Sequence, residues 1–402
     1  MPEISDATQA LPPSGIRRFF DLVAATEGVI SLGVGEPDFV TPRIIVEAAI
    51  KSLRAGQTTY TSNYGLLELR EVIAAHLHRR YGLVYNPGDE ILVTVGVSEG
   101  MDLAMRSILN PGDEVIIPEP SYVSYKPCVQ LAGGVAVVVP TTAENRFVPT
   151  MEDLDRARTP KTKAILLGYP SNPTGATISR ERLEEMVAFA TKHDLYLVSD
   201  EIYDRLTYDG EHVSVPSIPG AQERTILLNG FSKAYAMTGW RLGYACAPSK
   251  VLGAMMKIHS YTMLCAPITA QMAAIEALRH GESAVHQMVN EYNKRRRLIV
   301  YGLNEIGLTC HMPEGAFYAF PSITSVGMTC EDFAERLLIE EKVAVVPGTA
   351  FGEGGDGHIR CSYATKDTKI ELALEKIARF VERRTGRISH PTAAIAVGAA
   401  AG

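Results

Sequence analysis

Between about residues 46 and 285, short apolar runs of strand length alternate with stretches of helical pattern, and this alternation restricts the fold more than any other feature of the chain. The runs are Ile91–Val95, Glu114–Pro118, Val135–Val139, Ala164–Gly168, Leu195–Ser199, Thr225–Asn229 and Leu242–Ala247. Apolar runs without polar alternation suit strands covered on both faces, and an intervening helix is what a parallel connection requires. Helical patterns such as Ser98–Leu109 and Ser179–His193 end at turn signals, Asn110-Pro111-Gly112 and His193-Asp194. The chain is therefore expected to be α/β, with a mostly parallel seven-stranded sheet flanked by helices.

Beyond about residue 285 the texture changes to a long charged helix followed by short strands and helices. With 402 residues the chain is too long for one small core, and a large domain over 46–285 with a smaller α/β domain over 286–388 is expected. Residues 389–402 are small and of low complexity and read as a frayed tail. The basic run Arg295-Arg296-Arg297 is bracketed by Glu291 and Glu305, which suggests a solvated helix face rather than a nucleic-acid patch.

Composition narrows the function classes. The net charge of −7 with no long basic run argues against nucleic acid and anionic membranes as partners, so acidic small molecules would need local arginines. The six cysteines are scattered, with neither a CxxC pair nor a Cys/His cluster, and suggest no disulfide framework and no metal site. No apolar stretch has the length of a signal peptide core or a membrane span, so a cytoplasmic location is expected.

Chemistry concentrates in VSDEIYDRL, starting at Val198, and GFSKAYAMTGWRLGY, starting at Gly230. Leu195–Ser199 would deliver Asp200, and Thr225–Asn229 would deliver Ser232 and Lys233, to the carboxyl edge of the sheet, where open α/β folds place ligands. A lysine amine forms Schiff bases with carbonyls, and a carboxylate keeps a pyridine nitrogen protonated so that its ring can withdraw electrons. Ser232 and Arg241 add a hydroxyl and a cation suited to a phosphate.

These runs, together with GVGEPDF, PSYVSY, PSNPTG and GHIRCSYAT, resemble the fold-type I enzymes of pyridoxal 5′-phosphate, and more narrowly the class I/II aminotransferases, from about Ser14 to Arg383. The resemblance implies a large cofactor domain and a smaller one, with residues 1–45 forming an arm to a partner subunit and part of the small domain. It implies that Lys233 carries the cofactor and that Asp200 faces the ring nitrogen. Asn172 and Tyr203 would bond the ring's phenolic oxygen, and Tyr122 would stack on the ring. Val97, Ser98, Ser232 and Arg241 would hold the phosphate, Ser98 as the N-cap of the following helix, with Tyr60 reaching it from a neighbouring subunit. Gly35 would pass beside the substrate and Arg360 would clamp its α-carboxylate.

The activity implied is ping-pong amino transfer between an amino acid and a 2-oxo acid by a homodimer. Some aspartate-type relatives have a lysine where this chain has Ser98, and the animal-type enzymes use an arginine from a partner loop where this chain has His259–Met263. With Ile16, Phe19, Tyr64, Tyr125 and Met263 near the expected pocket, aromatic or broad-range donors with 2-oxoglutarate as acceptor are expected. Aspartate transamination and, less favoured, carbon–sulfur lysis are the alternatives.

Overall fold

The structure is a computed structural model and describes residues 2–11, 23 and 26–386. Ile16, Phe19 and the expected tail 389–402 lie outside the described residues. Seven strands form one sheet in the spatial order Ile91–Thr94, Gly243–Cys246, Thr225–Gly230, Tyr196–Asp200, Thr162–Gly168, Glu114–Glu119, Val135–Pro140. All neighbouring pairs are parallel except those made by Gly243–Cys246, which is antiparallel to both of its neighbours.

Successive residues of these strands feed opposite faces, as the pleat requires. Ile165 and Leu167 enter one apolar cluster while Ala164 and Leu166 enter another; Leu227 and Leu228 divide in the same way. This double coverage is why the runs lack polar alternation. Helix Gly96–Ile108 packs on one face, where Gly100 lies over Leu228, a side chain with no exposed surface. Truncating Leu228 to alanine would cost roughly 2–5 kcal/mol.

A second sheet of three antiparallel strands contains Val346–Pro347, Ile359–Ser362 and Tyr318–Ala319, with Ile359–Ser362 in the middle. Ile30–Ser31 pairs in parallel with Val343–Ala344, so a segment preceding the large sheet is stitched to the last third of the chain. One continuous apolar cluster joins this part to the face of the large sheet built by Ile165 and Leu197.

The long helix Glu282–Ile306 corrects one expectation. Arg295 and Arg296 are buried rather than solvated. Arg295 holds both oxygens of Asp38 at 2.9 and 3.0 Å and Asp367 at 2.9 Å, while Arg296 pairs with Asp209 and donates to the Pro313 carbonyl at 2.8 Å. Carboxylates distant in sequence, rather than Glu291 and Glu305 alone, neutralise the run. A guanidinium's planar fork tolerates burial when each charge is matched this way.

Candidate active site

The carboxyl ends of three neighbouring strands open into a cavity of about 650 Å³. Its walls include Gly35, Val97, Ser98, Tyr122, Asn172, Asp200, Tyr203, Ser232, Lys233, Arg241 and Arg360. Every residue expected to hold the cofactor, to pass beside the substrate or to clamp its α-carboxylate is thus brought together except Tyr60, which is 82% exposed and stands outside this wall.

Asp200 is the last residue of its strand and is buried. It pairs in register with Gly168, and a Cβ there would lie 2.2 Å from the Tyr125 hydroxyl. Glycine at 168 therefore leaves room for Tyr125 to donate to Asp200 Oδ2 at 2.9 Å, while the Ile202 N–H donates to Oδ1 at 3.2 Å. Burial pushes the Asp200 carboxyl up to about 6, against the pull of these two donors. Tyr125, expected among the residues facing a substrate side chain, spends its hydroxyl on Asp200 instead. Tyr64 and Met263 are absent from the cavity wall, Tyr64 packing beneath Arg70 and Met263 being half exposed.

Lys233 follows strand Thr225–Gly230 and donates from Nζ to the Gly35 carbonyl at 2.6 Å. Burial first, then the charge of Arg360, pulls its ammonium down to about 8, with Glu36 and Asp200 opposing. Arg360, on the central strand of the small sheet, is also buried. It donates to Asn172 Oδ1 at 2.9 Å and to the Gly33 carbonyl at 2.6 Å, and its Nε has no hydrogen-bond partner. Its guanidinium lies over the rings of Tyr318, 4.4 Å away, and Phe351, 4.9 Å away.

The turn before helix Gly96–Ile108 is built differently from its expected form. Val95, not Ser98, is the N-cap, and Ser98 sits inside the first turn with its side chain outward. Gly96, at φ +73°, opens the helix two residues earlier, and the Glu99 carboxylate reaches back to accept the Val95 N–H, as a glutamate in the first turn can. The other Glu99 oxygen lies 2.6 Å from Nδ1 of His259, a side chain with no exposed surface. A Cβ at position 96 would come within 2.7 Å of the Arg241 guanidinium, so the glycine also admits that cation to the helix start. A helix N-terminus with an arginine and Ser232 beside it is an anion site.

Tyr125, Tyr318, Glu99 and His259 were not assigned these contacts from sequence. Gly168 pairing with Asp200 is a register fact, and no linear pattern announces a tyrosine reaching across from the start of helix Tyr125–Leu131.

Among the described residues, Asp200, Lys233 and Arg360 form no ion pair, although each is largely buried and faces the same cavity. Isolated buried charges are costly unless a ligand matches them. The arrangement turns a carboxylate, a lysine amine, a guanidinium and a helix start toward one cavity, a set that suits a ligand carrying both cationic and anionic groups.

The model of the family "Aminotransferase class I and II" matches residues 27–377. The chain is 56% identical over 382 residues, covering 95% of it and 99% of the relative, to the putative aminotransferase YugH of Bacillus subtilis. It is 45% identical to an aspartate aminotransferase of Pyrococcus abyssi, covering 95% and 99%. The solved aromatic aminotransferase of Pyrococcus horikoshii superposes with a TM-score of 0.88 at 45% identity, covering 91% of this chain and 99% of that one. The protein belongs to the class I and II aminotransferases, enzymes that transfer amino groups between amino acids and 2-oxo acids with pyridoxal 5′-phosphate. The three unmatched buried charges and the helix-start anion site fit that cofactor and its substrates.

Proposed function

We propose that the chain is a homodimeric cytoplasmic aminotransferase of aromatic or broad donor range, using 2-oxoglutarate as acceptor. The observation that carries the site assignment is the set of buried, unpaired charges at Asp200, Lys233 and Arg360 around one cavity. Lys233 would hold the cofactor, Asp200 its ring nitrogen, Asn172 and Tyr203 its phenolic oxygen, and Tyr122 its face. Val97, Ser98, Ser232 and Arg241 would hold the phosphate, joined by Tyr60 of a second copy. When bound, the cofactor supplies a carbonyl carbon and an electron-withdrawing ring.

The chain's own groups then act at stated atoms. Arg360 binds the α-carboxylate in its planar fork, which orients the Cα–H bond toward Lys233 beside Gly35. The Lys233 amine, freed when the substrate's amine takes its place and its ammonium pulled down to about 8 by burial, would take the Cα proton and return it two atoms away, across the intervening nitrogen, as general base and then general acid. Asp200 keeps the ring nitrogen's proton in place throughout. Tyr203 and Asn172 stabilise negative charge on the phenolic oxygen. The expected domain division, 1–45 with 286–388 against 46–285, would set Arg360 and Gly35 on the smaller part and Lys233 on the larger.

Substrate class rests on the cavity's remaining wall. Met101, Val123 and Cys128 are uncharged, and at position 98 a serine offers no cation to a second carboxylate. This favours aromatic and other uncharged donors, while the Pyrococcus abyssi relative keeps aspartate as the competing reading. Mixing the enzyme with single amino acids and following the cofactor's conversion to its amine form tests the choice. Phenylalanine and tyrosine should react at least about tenfold faster than aspartate at equal concentration, a difference of ~1.4 kcal/mol in barrier. Preference for aspartate would reverse the assignment, and ammonia release that consumes no 2-oxo acid would favour lysis.

A further inference from the structure

Tyr318 stands where the carboxylate clamp meets the residues assigned to the cofactor's oxygen. It has no exposed surface, and its hydroxyl is 2.6 Å from that of Tyr203. Its ring lies under the Arg360 guanidinium at 4.4 Å, and a Cβ on Gly35 would be 2.7 Å from its hydroxyl oxygen. One residue thus touches the phenol beside Lys233, the arginine expected to bind substrate and the residue whose carbonyl accepts the Lys233 hydrogen bond.

A phenol has one proton to donate. If Tyr203 gives its proton to a ligand in the cavity, the short contact to Tyr318 is satisfied only when Tyr318 is the donor and Tyr203 the acceptor. Burial raises both phenols above their ordinary range, so both remain protonated at working pH.

We propose that Tyr318 is a positioning residue for the amino-transfer reaction: its hydroxyl donates to Tyr203, which fixes and strengthens Tyr203's own donation to the cofactor's phenolic oxygen, while its ring holds Arg360 in place for the substrate carboxylate. The proposal rests on the roles assigned above to Tyr203 and Arg360. Hydrogen bonds in series polarise one another, so removing the first weakens the second without breaking it. The ring contact is a cation–π interaction with a buried guanidinium, where such contacts are strongest.

Tyr318→Phe separates the two functions, because it deletes the hydroxyl and keeps the ring. In the dimeric holoenzyme without substrate, the pH midpoint of the bound cofactor's visible band should rise by roughly 0.2–0.7 unit, since a weaker donor leaves the phenolic oxygen more basic. The KM for the amino acid should stay within about twofold of the parent value. Tyr318→Leu, which also removes the ring, should show the same rise in midpoint and in addition raise KM roughly tenfold. Tyr203→Phe should move the midpoint further than Tyr318→Phe. An unchanged midpoint in Tyr318→Phe beside a large rise in Tyr203→Phe would overturn the role of Tyr318 and leave that of Tyr203 standing. No rise in either variant would overturn both. An unchanged KM in Tyr318→Leu would remove the support of Arg360 from the proposal.

Discussion

At one end of the cavity Asp200, Tyr203, Tyr318 and Arg360 are buried and bound to neighbours from their own chain, whereas at the other Ser98 and Arg241 are exposed; Tyr60, outside the cavity wall, is 82% exposed. The first end has the low dielectric that lets a carboxylate rise to about 6 and an ammonium fall to about 8. The second offers a helix start and a cation, but its outer wall is left open. Charge tuning needs burial, which one chain can supply by packing two sheets together. Enclosing a phosphate there needs a further surface beyond the described residues of this wall, which the proposed dimer supplies with Tyr60 of a second copy.

If the ends are built for different tasks, damage to them should have different signatures. The largest effect is expected at Lys233. Lys233→Ala should lose turnover altogether and release its visible chromophore on dialysis, and borohydride reduction of the parent should label Lys233 in peptide maps; a label on another lysine would relocate the buried end. Asp200→Asn should fold and bind cofactor but lose about a thousandfold or more in turnover, because an amide does not hold the ring nitrogen's proton. Activity near that of the parent would break the assignment.

The phosphate end should respond in affinity instead. Glu99→Ala removes the acceptor of the Val95 N–H and the partner of His259, and it should weaken cofactor retention about tenfold, the scale of a lost helix cap, with little change in turnover at saturating cofactor. Equal losses in both quantities would erase the distinction between the ends. A smaller effect concerns pH. The cofactor-free protein should reload about tenfold faster for each pH unit on approaching 8 and level off above it, since only the neutral Lys233 amine attacks a carbonyl and burial has pulled its ammonium down to about 8. A reloading rate still climbing steadily at pH 10 would place the amine in an ordinary solvated setting.

The same two regions differ in how much of them the sequence discloses. Strand-length apolar runs set the seven strands to within two residues at each end, because burial on both faces favours apolar residues in most of them, and the strand ends then put Asp200 and Lys233 at one edge. The cavity wall contains the expected Gly35, Asn172 and Arg360 as well, residues that only the resemblance could nominate. What stayed hidden depends on packing across the chain. Tyr125 reaches Asp200 because Gly168 lacks a side chain, and Glu99 displaces Ser98 as the group serving the helix start because His259 approaches from a distant helix. The arginine run was misread for a similar reason, its partners Asp38, Asp209 and Asp367 being distant from it in sequence.

The proposed division of the cavity into an end completed by one chain and an end completed by two is tested most directly by mixing two inactive variants. Lys233→Ala lacks the buried end and Tyr60→Ala, once shown to be severely impaired, lacks the open one. After subunit exchange, verified by native mass spectrometry, a hybrid dimer would contain one site with both residues intact, and activity should recover toward about a quarter of the parent's, half of the dimers being hybrids with one working site each. No recovery in a mixture shown to contain hybrids, or full activity from a monomer in sedimentation, would contradict the account.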